Sequence, residues 1–328
     1  MKGGEKSQHS IYLLVKQMIE EEKFGRSFGD RTIFNIYEGT GRKEDLDLTR
    51  FIHSKSYLPQ TVEAVVVDGM KEDIQKGSSR YQIGGQPGHR SQEHMFTVKS
   101  VICKVTKDNE AVIGGIHDIQ KFFDKEVLSD VLNTLTELRV DPKCVRVWGK
   151  LNMKTKIRVR CGGGYSPWMD VGDTLGQGSG GAAQASQANL DRGITFMFHG
   201  SSDLAVYGTV PINPLLFQDD IFTLSNTVNA ARASLFKVNI MMNQKQLRFH
   251  KDKTTYIIFV SEAKKKEMRR KLSEESLVCG AFELKEKESD KYLGEIFHSA
   301  GLGRSALETI KARAGKIKAV SYEIKAII

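Results

Sequence analysis

Residues 215–224 read LLFQDDIFTL, in which an acidic pair, Asp219 and Asp220, separates two short apolar runs. Apolar residues on both sides of a polar pair predict a strand, a tight turn and a second strand. Adjacent carboxylates repel each other, and a turn holds them most readily where a hard cation such as Mg²⁺ neutralises them. An acidic pair is weak evidence by itself, because ordinary surface turns are rich in Asp.

A third carboxylate, Asp118, lies upstream in the segment AVIGGIHDIQKFFDKEVL, residues 111–128. A run rich in Val and Ile predicts a buried strand that ends at Asp118, and a helix is predicted from about Asp124 through Leu132. Taken alone, Asp118 is interpreted as a cap of that helix. Together with the acidic pair, it predicts a site for two metal ions of the kind that serves phosphoryl transfer.

Five segments resemble, in order and separation, the conserved blocks of reverse transcriptases, and most closely those of non-long-terminal-repeat (LINE-type) retrotransposons. With the segments of the fingers, the resemblance covers the chain from about residue 30 to its end. Five ordered blocks are far more specific than any one of them. The five segments are HDIQKFFD (117–124), LGQGSGGAAQASQANL (175–190), FQDD (217–220), LRFHKDKTTYIIF (247–259) and KYLGEIF (291–297).

The resemblance implies a catalytic set. Asp118, Asp219 and Asp220 would hold two Mg²⁺ ions, for which Mn²⁺ can substitute, and Lys253 would stabilise or protonate the leaving pyrophosphate. Phe123 falls where the family places an aromatic steric gate, a ring that leaves no room for the 2′-hydroxyl of a ribonucleotide. An ordinary core aromatic is the alternative interpretation of Phe123, and a surface lysine at a helix end is that of Lys253.

The resemblance also implies residues that bind the nucleotide and the template–primer. In TGRKEDLDLTRFIHSKSYLP, residues 40–59, the triphosphate would be held by Arg50 and by Lys43 or Arg42, which could equally be part of a solvated basic loop. The nucleotide-binding set is Arg50, Lys43, Phe123, Gln177 and Gly178. The template- and primer-binding set is Gly84, Gly88 and Arg90 in YQIGGQPGHRSQEH (81–94), together with Gly294 in the last block.

The chain departs from the family pattern at three places that bear on fidelity and processivity. Phe122 replaces a small residue before the gate aromatic, so a second ring is expected to crowd the deoxyribose pocket. Gln218 replaces a small residue before the acidic pair. The Gln-Gly block continues as GGAAQAS, residues 180–186, where the family has Ser-Pro and a bulky pair.

Composition agrees with a nucleic-acid partner without proving one. The 328 residues carry a formal net charge of +9, which suits a polyanion. The four cysteines have no zinc-ligand or disulfide spacing, so free and mostly buried thiols are expected. No apolar run predicts a signal peptide or a membrane span, which favours an intracellular protein of the nucleus or cytoplasm with no membrane partner.

Local patterns place the elements around these blocks. Ile11, Leu13, Leu14, Met18 and Ile19 predict an amphipathic N-terminal helix, and residues 30–95 are expected to be turn-rich until a helix begins near Glu93. Residues 156–161 alternate as a strand with one basic and one apolar face. The helix after Gln177 is expected to end near Arg192. Two further helices are predicted over residues 141–153, with Pro142 near the start, and 226–246, and a strand is predicted over residues 254–260. The segment AKKKEMRRKL, residues 263–272, predicts a basic helix that either tracks phosphates or is a solvated charged face.

These observations predict an α+β right-hand polymerase core, with an antiparallel palm sheet backed by helices, fingers and a partial thumb. The expected domains are an N-terminal extension (1–29), fingers (30–95), a palm with interleaved finger elements (96–300) and the start of a thumb (301–328). The expected activity is RNA-directed DNA synthesis on an RNA template with a DNA primer and deoxynucleoside triphosphates, within a longer retrotransposon polyprotein. The alternatives are a non-catalytic or truncated nucleic-acid-binding remnant of a retroelement, an RNA-directed RNA polymerase, against which Phe123 argues, and a group II intron maturase, whose added RNA-binding domain is not seen in this sequence.

Overall fold

The computed structural model describes residues 4–37, 49–201, 204–212, 214–260, 262–280 and 282–327. The chain forms two compact units, and each is built from separate stretches of sequence. The first unit contains Met1–Ser79, Lys121–Arg192 and Lys245–Leu247, and the second contains Arg80–Gln120, Gly193–Gln244 and Arg248–Ile328. No helix within the described residues is long and apolar enough to cross a membrane.

The described residues form helices and strands in the following chain order. The helices are α1 (Glu5–Glu21), α2 (Tyr57–Gly77), α3 (Ser91–Lys107), α4 (Phe122–Lys125), α5 (Leu128–Glu137), α6 (Pro142–Asn152), α7 (Ala182–Phe198), α8 (Val228–Gln244), α9 (Glu262–Glu274) and α10 (Leu302–Ile327). The strands are β1 (Arg31–Tyr37), β2 (Thr49–Ser54), β3 (Val112–His117), β4 (Lys156–Cys161), β5 (Gly164–Tyr165), β6 (Met169–Asp170), β7 (Ala205–Tyr207), β8 (Val210–Ile212), β9 (Leu215–Phe217), β10 (Asp220–Ser225), β11 (Thr255–Phe259), β12 (Val278–Cys279), β13 (Phe282–Glu283), β14 (Lys285–Glu286), β15 (Ser289–Tyr292) and β16 (Glu295–His298).

The first unit combines a mixed sheet with a helical core. Its strands run in the order β2-β1-β4-β5, and β6 pairs with β4. Helix α2 contributes a buried face to the core, with Val62, Val66, Met70 and Ile74 at four-residue spacing. Helix α6 begins where the sequence predicts, because the Asp141 carboxylate accepts hydrogen bonds from the backbone amides of residues 143 and 144. Trp148 of α6 is fully buried in the same core.

The second unit is built on a sheet in the order β14-β11-β3-β10-β9, antiparallel except where β14 pairs with β11. The central strand β3 is buried along its whole length. Its two glycines are required by packing, since a Cβ on Gly114 would lie 2.9 Å from the Phe259 ring and one on Gly115 would lie 2.5 Å from the Thr223 hydroxyl. The sheet therefore brings β10 and β11 tightly against β3.

Several local predictions are confirmed and others are wrong. The strand–turn–strand at 215–225, the helices near Glu93, Pro142 and Val228, and strand 156–161 form as predicted. Residues 30–95 are not turn-rich, because α2 provides a 21-residue helix that the sequence analysis missed. The helix after Asp118 is broken into α4 and α5 by extended backbone at Glu126 and Val127. Helix α7 continues to Phe198, six residues beyond the predicted end.

Burial also departs from expectation at two places. Helix α1 forms, but its residues at 11, 13 and 14 are exposed, whereas Met18 and Ile19 are partly buried and pack against the core that contains Val15. The cysteines are free as predicted, yet Cys103 and Cys161 are exposed and only Cys279 is buried. In both cases the sequence pattern gives the chemistry of the side chain, whereas burial depends on which neighbours the fold supplies.

Candidate active site

The four predicted catalytic residues come together at one end of the sheet in the second unit. Strand β3 ends at His117, immediately before Asp118, and β10 begins at Asp220 and runs antiparallel to β3, with Ile221 opposite His117. Strand β11 pairs antiparallel with the other side of β3 and begins two residues after Lys253. Because antiparallel neighbours begin and end at the same edge, Asp118, Asp220 and Lys253 share one end of the sheet.

The turn that precedes β11 fixes the backbone of Asp118. The His250 amide donates to the Asp118 carbonyl at 2.8 Å, and the Asp118 amide donates to the Thr254 hydroxyl at 3.4 Å. Between these two contacts the Lys253 ammonium lies 3.9 Å from an Asp118 carboxylate oxygen. The turn therefore holds Lys253 beside Asp118, two residues that the resemblance assigns to the predicted catalytic set.

The carboxylates act on one another electrostatically. The pKa of Asp220 is raised to about 7, first by its burial and then by the negative charges of Asp219 and Asp118, while the Lys253 ammonium acts in the opposite direction. The charge of Asp220, after burial, also raises the pKa of Tyr292 well above its ordinary value. A cation bound beside these carboxylates would relieve the repulsion that raises the pKa of Asp220.

The donor set fits Mg²⁺ chemically, since three carboxylates supply the hard oxygen ligands that this ion prefers. Within the described part of the chain, however, no group of three or more His, Cys, Asp or Glu side chains is gathered closely enough to hold a metal ion. The raised pKa of Asp220 is compatible with this absence, because electrostatic repulsion between carboxylates acts over longer distances than a metal–oxygen bond. The three carboxylates share one environment without forming a completed ligand sphere.

A buried glutamine that the sequence analysis did not single out supports the turn between β9 and β10. The side-chain oxygen of Gln82 accepts from the backbone amide of Gln218 at 3.1 Å, and the side-chain nitrogen of Gln82 donates to the backbone carbonyl of Gln218 at 3.1 Å. Gln218 is held at φ 61°, a left-handed conformation that a glutamine rarely adopts. Asp219 follows directly, so Gln82 fixes the backbone from which both acidic residues extend.

Gly84 belongs to the same arrangement. The segment at 81–83 pairs with β9, since the Leu216 amide donates to the Tyr81 carbonyl and the Ile83 amide donates to the Leu216 carbonyl. A Cβ on Gly84 would overlap the backbone nitrogen of Gln218, and the Gly84 amide donates to the Gln82 side chain. The close approach that this glycine permits in the structure is to the turn between β9 and β10, and its expected contact with a template phosphate stays a prediction. The sequence carries no signal for Gln82, because its role depends on hydrogen bonds to a turn that is distant along the chain.

The predicted nucleotide-binding residues lie in the first unit. The Phe123 carbonyl accepts from the Gly176 amide, and the Gln177 amide donates to the Asp124 carboxylate, whose pKa is raised by burial. The Gln177 carbonyl accepts from the His53 amide at 2.7 Å, which joins the Gln-Gly loop to β2. Arg50 is exposed on β2, three residues before His53. The fold therefore gathers Arg50, Phe123, Gln177 and Gly178 within one unit.

The two phenylalanines of α4 have different surroundings. Phe122 is 2% exposed and Phe123 is half-buried, with their ring centroids 5.2 Å apart. The ring of Phe122 is therefore buried, and the expected crowding of a sugar pocket by this ring stays a prediction. The ring of Phe123 remains partly open to solvent, which favours the gate over an ordinary core aromatic, and its gate role stays a prediction. Lys43 and Arg42 lie outside the described residues.

A buried polar network supports the Gln-Gly loop, residues 175–179, through contacts at both of its ends. The Lys55 ammonium contacts a Glu63 carboxylate oxygen at 3.0 Å, the Asn152 side-chain oxygen at 2.9 Å and the Ser179 hydroxyl at 3.2 Å. The Arg31 guanidinium donates to the Leu175 carbonyl and to the Asn152 side-chain oxygen. Burial lowers the pKa of Lys55 to about 8. Loop residues 175 and 179 are thus tied to β1, α2, α6 and Lys55, the residue that follows β2.

The remaining predicted template and primer residues lie on the surface of the second unit. Gly88, at φ 81°, and Arg90, at the start of α3, are exposed, and Gly294 forms the turn between β15 and β16 at φ 86°. The basic helix α9 forms, but several of its cations have protein partners: Lys265 is buried and donates to Ser299, Arg269 pairs with Glu286, and Arg270 pairs with Glu274. These contacts favour the solvated charged face over phosphate tracking for much of α9.

Solved structures share this fold at low sequence identity. Apo telomerase from Candida tropicalis, truncated from its C-terminal domain, superposes with a TM-score of 0.50 and 11% identity over 89% of this chain and 59% of its own. Telomerase from Candida albicans, in complex with the TWJ fragment of telomeric RNA, superposes with a TM-score of 0.51 and 9% identity over 83% of this chain and 45% of its own. No protein-family model matches the sequence, and no curated protein sequence is significantly similar to it.

These likenesses show the fold. The chain has the α+β fold of a reverse-transcriptase-like polymerase, which confirms the predicted fold class, and it spans about half of the length of the telomerases that it resembles. The antiparallel sheet that carries the acidic residues is the predicted palm sheet. The similarity does not distinguish a LINE-type enzyme from other reverse transcriptases, and the predicted domain boundaries stay a prediction.

Proposed function

We propose that the chain is the core of an RNA-directed DNA polymerase that extends a DNA primer on an RNA template with deoxynucleoside triphosphates. The observation that carries the proposal is the placement of Asp118 and Asp220 at the ends of two adjacent antiparallel strands, with Asp219 in the turn between β9 and β10. The same fold in the two telomerases supports it. The order of the five sequence blocks supports an origin in a retrotransposon.

The residues have separate roles in this proposal. Asp118, Asp219 and Asp220 would hold Mg²⁺, which when bound activates the primer hydroxyl and stabilises the charge of the transition state. Asp220 must lose its proton to serve as a ligand, so its raised pKa makes the site sensitive to pH near neutrality. Lys253 offers a positive charge beside Asp118, where negative charge develops on a leaving group.

The first unit would supply the nucleotide-binding residues. Arg50 offers a guanidinium that binds phosphate oxygens in a bidentate manner. Phe123 offers a half-exposed ring that excludes a 2′-hydroxyl, and Gln177 and Gly178 offer a loop whose backbone is fixed to β2 and α4. A partner RNA is proposed by analogy with the RNA of the Candida albicans telomerase complex.

Primer extension tests the proposal. A labelled DNA primer on an RNA template is incubated with the protein and Mg²⁺ or Mn²⁺, and deoxynucleotides and ribonucleotides are offered in separate reactions. We expect extension with deoxynucleotides alone, lost in Asp219→Asn and retained in Asp68→Asn, an exposed aspartate of the first unit. Extension with ribonucleotides would identify an RNA-directed RNA polymerase, and equal extension by Asp219→Asn would reject the role of the acidic pair.

A non-catalytic nucleic-acid-binding function is the second candidate. It is favoured by one finding, that within the described residues the acidic side chains are not gathered into a metal-binding group. Three carboxylates without a metal would repel the phosphates that a binding protein must hold, which argues against this candidate. Tight binding of the primer–template without extension in either metal would favour it over polymerisation.

A further inference from the structure

The sheet of the first unit buries part of one face, around Ile33 and His53, whereas the residues of its other face are half-buried or exposed. Ile33 and His53 are register partners on β1 and β2, and both are buried. Residues at the alternate positions point to the other face. That face, termed here the cationic sheet face, carries Thr32, Phe34 and Ile36 of β1, Arg50 and Ile52 of β2, Lys156, Arg158 and Arg160 of β4, Tyr165 of β5, and Trp168 just before β6.

The side-chain contacts confirm that these residues share a face. The Arg158 guanidinium donates to the Thr32 hydroxyl at 3.3 Å, and its carbon lies 4.1 Å from the ring centroid of Tyr165 and 4.7 Å from that of Trp168. The Arg160 guanidinium lies 5.7 Å from the Phe34 ring centroid. Arginine and aromatic side chains therefore alternate across neighbouring strands.

The charge of the face is positive. It carries four cationic side chains, those of Arg50, Lys156, Arg158 and Arg160. One carboxylate faces them within the described strands, that of Asp170, which is the register partner of Lys156 and lies 3.9 Å from its ammonium. Across the part of the chain that the structure describes, Arg158 and Arg160 make cation–π contacts and no ion pair. Their charges therefore remain uncompensated by protein carboxylates.

The aromatic rings are open to solvent. Tyr165 is 54% exposed and Trp168 is 45% exposed, whereas aromatic side chains of this size are buried to a greater extent on average. The hairpin that carries Tyr165 contains Gly162, Gly163 and Gly164, beside which a Cβ would meet nothing within 4 Å. The backbone next to the rings is therefore also accessible to a ligand.

We propose that the cationic sheet face binds single-stranded nucleic acid, with bases stacked on Tyr165 and Trp168 and phosphates bound by Arg158 and Arg160. A positively charged surface interleaved with exposed aromatic rings is the recurrent solution for binding single strands without sequence preference. A duplex fits less well, because its bases are stacked on one another and offer no free faces to the rings. The proposal rests on the surface of the first unit and goes beyond the proposed polymerisation, which requires the carboxylates of the second unit.

Tryptophan fluorescence gives a direct test. The chain has two tryptophans, and Trp148 is fully buried in the core, so a base that stacks on Trp168 quenches the exposed one. The full chain is titrated with a 20-nucleotide single-stranded RNA, the same strand as DNA, and the duplex of the two. We expect quenching by both single strands and weak quenching by the duplex. Trp168→Phe should lose the quenching while retaining binding.

Fluorescence anisotropy with the labelled RNA measures affinity. Trp168→Ala and Tyr165→Ala should each weaken binding about tenfold, since stacking of one base on one ring has an effect of this order. Arg160→Ala should also reduce the salt dependence of log affinity by about 0.7, the change expected for one lost phosphate contact on a single strand. The matched controls in the same unit are Tyr12→Ala and Arg26→Ala, two exposed residues away from the cationic sheet face.

The outcomes separate this proposal from the polymerase. Quenching with no primer extension would support the cationic sheet face and reject the proposed activity, and extension with no quenching would do the reverse. Preference for the duplex, or equal RNA affinity in Trp168→Ala and Tyr12→Ala, would overturn the inference. A Trp168 emission that depends on protein concentration, and not on RNA, would assign the face to self-association and would overturn it as well.

Discussion

The side-chain amide of Gln82 pairs with both backbone groups of Gln218, accepting from its N–H and donating to its carbonyl, each at 3.1 Å. Gln218 has a left-handed backbone that costs about 1–2 kcal/mol for a residue with a Cβ. The two hydrogen bonds compensate this cost and set the direction in which the chain enters Asp219. The geometry of the acidic turn therefore depends on a residue 136 positions away in sequence.

Replacement of Gln82 by methionine tests this dependence. The variant preserves volume but removes the two hydrogen bonds to Gln218 and the one from the Gly84 amide, and we expect a loss of about 1–3 kcal/mol of unfolding free energy. Primer extension should fall more than binding of primer–template, because the turn no longer holds Asp219 in place. Urea unfolding and steady-state extension give the two values. Gln17→Met, on the exposed face of α1, is the matched control, and equal behaviour of the two variants would contradict the prediction.

Asp220 makes the stability of the protein depend on pH. Its pKa is about 7 in the folded chain and about 4 when unfolded, so the folded state binds the proton more tightly. The stabilisation that the folded state gains by holding this proton is therefore fully present below about pH 4 and is lost as pH rises through 7. Asp220→Asn should unfold at a higher temperature than the wild type at pH 8, and the difference should shrink towards pH 4. A difference that is constant with pH would show that the carboxylate is not perturbed.

Gly178 is required by its backbone and by a close approach. Its φ is +96°, and a Cβ there would lie 2.9 Å from the His53 carbonyl oxygen. Gly178→Ala should therefore destabilise the first unit by more than about 1–2 kcal/mol, the cost of the conformation alone. Gly163→Ala is the control, because nothing lies within 4 Å of its Cβ and its φ is not left-handed. Thermal unfolding of both variants distinguishes them, and similar melting temperatures would show that the Gln-Gly loop moves freely.

The buried pair of Lys55 and Glu63 should show strong coupling. Both side chains are 2% exposed, and removal of one partner leaves an uncompensated buried charge. Lys55→Met should cost about 3–5 kcal/mol, while Lys55→Met combined with Glu63→Met should cost less than the sum of the single changes. The exposed pair of Glu72 and Lys76 on α2 is the control, for which a much smaller loss is expected because solvent screens the two charges. If the double variant lost as much unfolding free energy as the two single variants together, the expected coupling between Lys55 and Glu63 would be contradicted.

The two adjacent phenylalanines should separate stability from selectivity. Phe122→Ala should cost about 3–5 kcal/mol, since it leaves a cavity in the core. Phe123→Val should change stability less and should raise the use of ribonucleotides relative to deoxynucleotides about tenfold or more, because the smaller side chain admits the 2′-hydroxyl. Urea unfolding and competitive primer extension measure the two effects. Unchanged selectivity in Phe123→Val would remove the gate role.

Local patterns in the sequence determined the elements that carry the acidic residues. Apolar runs predicted β3, β9, β10 and β11, and the resemblance of five ordered blocks to reverse transcriptases implied the polymerase-like fold that contains this sheet. The same patterns missed α2, because its apolar residues follow a segment rich in turn-forming residues, and they misjudged the exposure of α1. Periodicity reports the shape of a segment but not the neighbours that cover it.

The tertiary structure alone decided the environment of each site residue. The pKa of Asp220 depends on carboxylates brought together by β3 and β10, which are separated by about a hundred residues in sequence. The role of Gln82 depends on a hydrogen bond to a distant turn, and the cationic sheet face depends on the register of β1 with β4. Sequence therefore determined which chemical groups the chain carries, and long-range strand pairing determined which of them meet, because charge, burial and hydrogen bonding act through space.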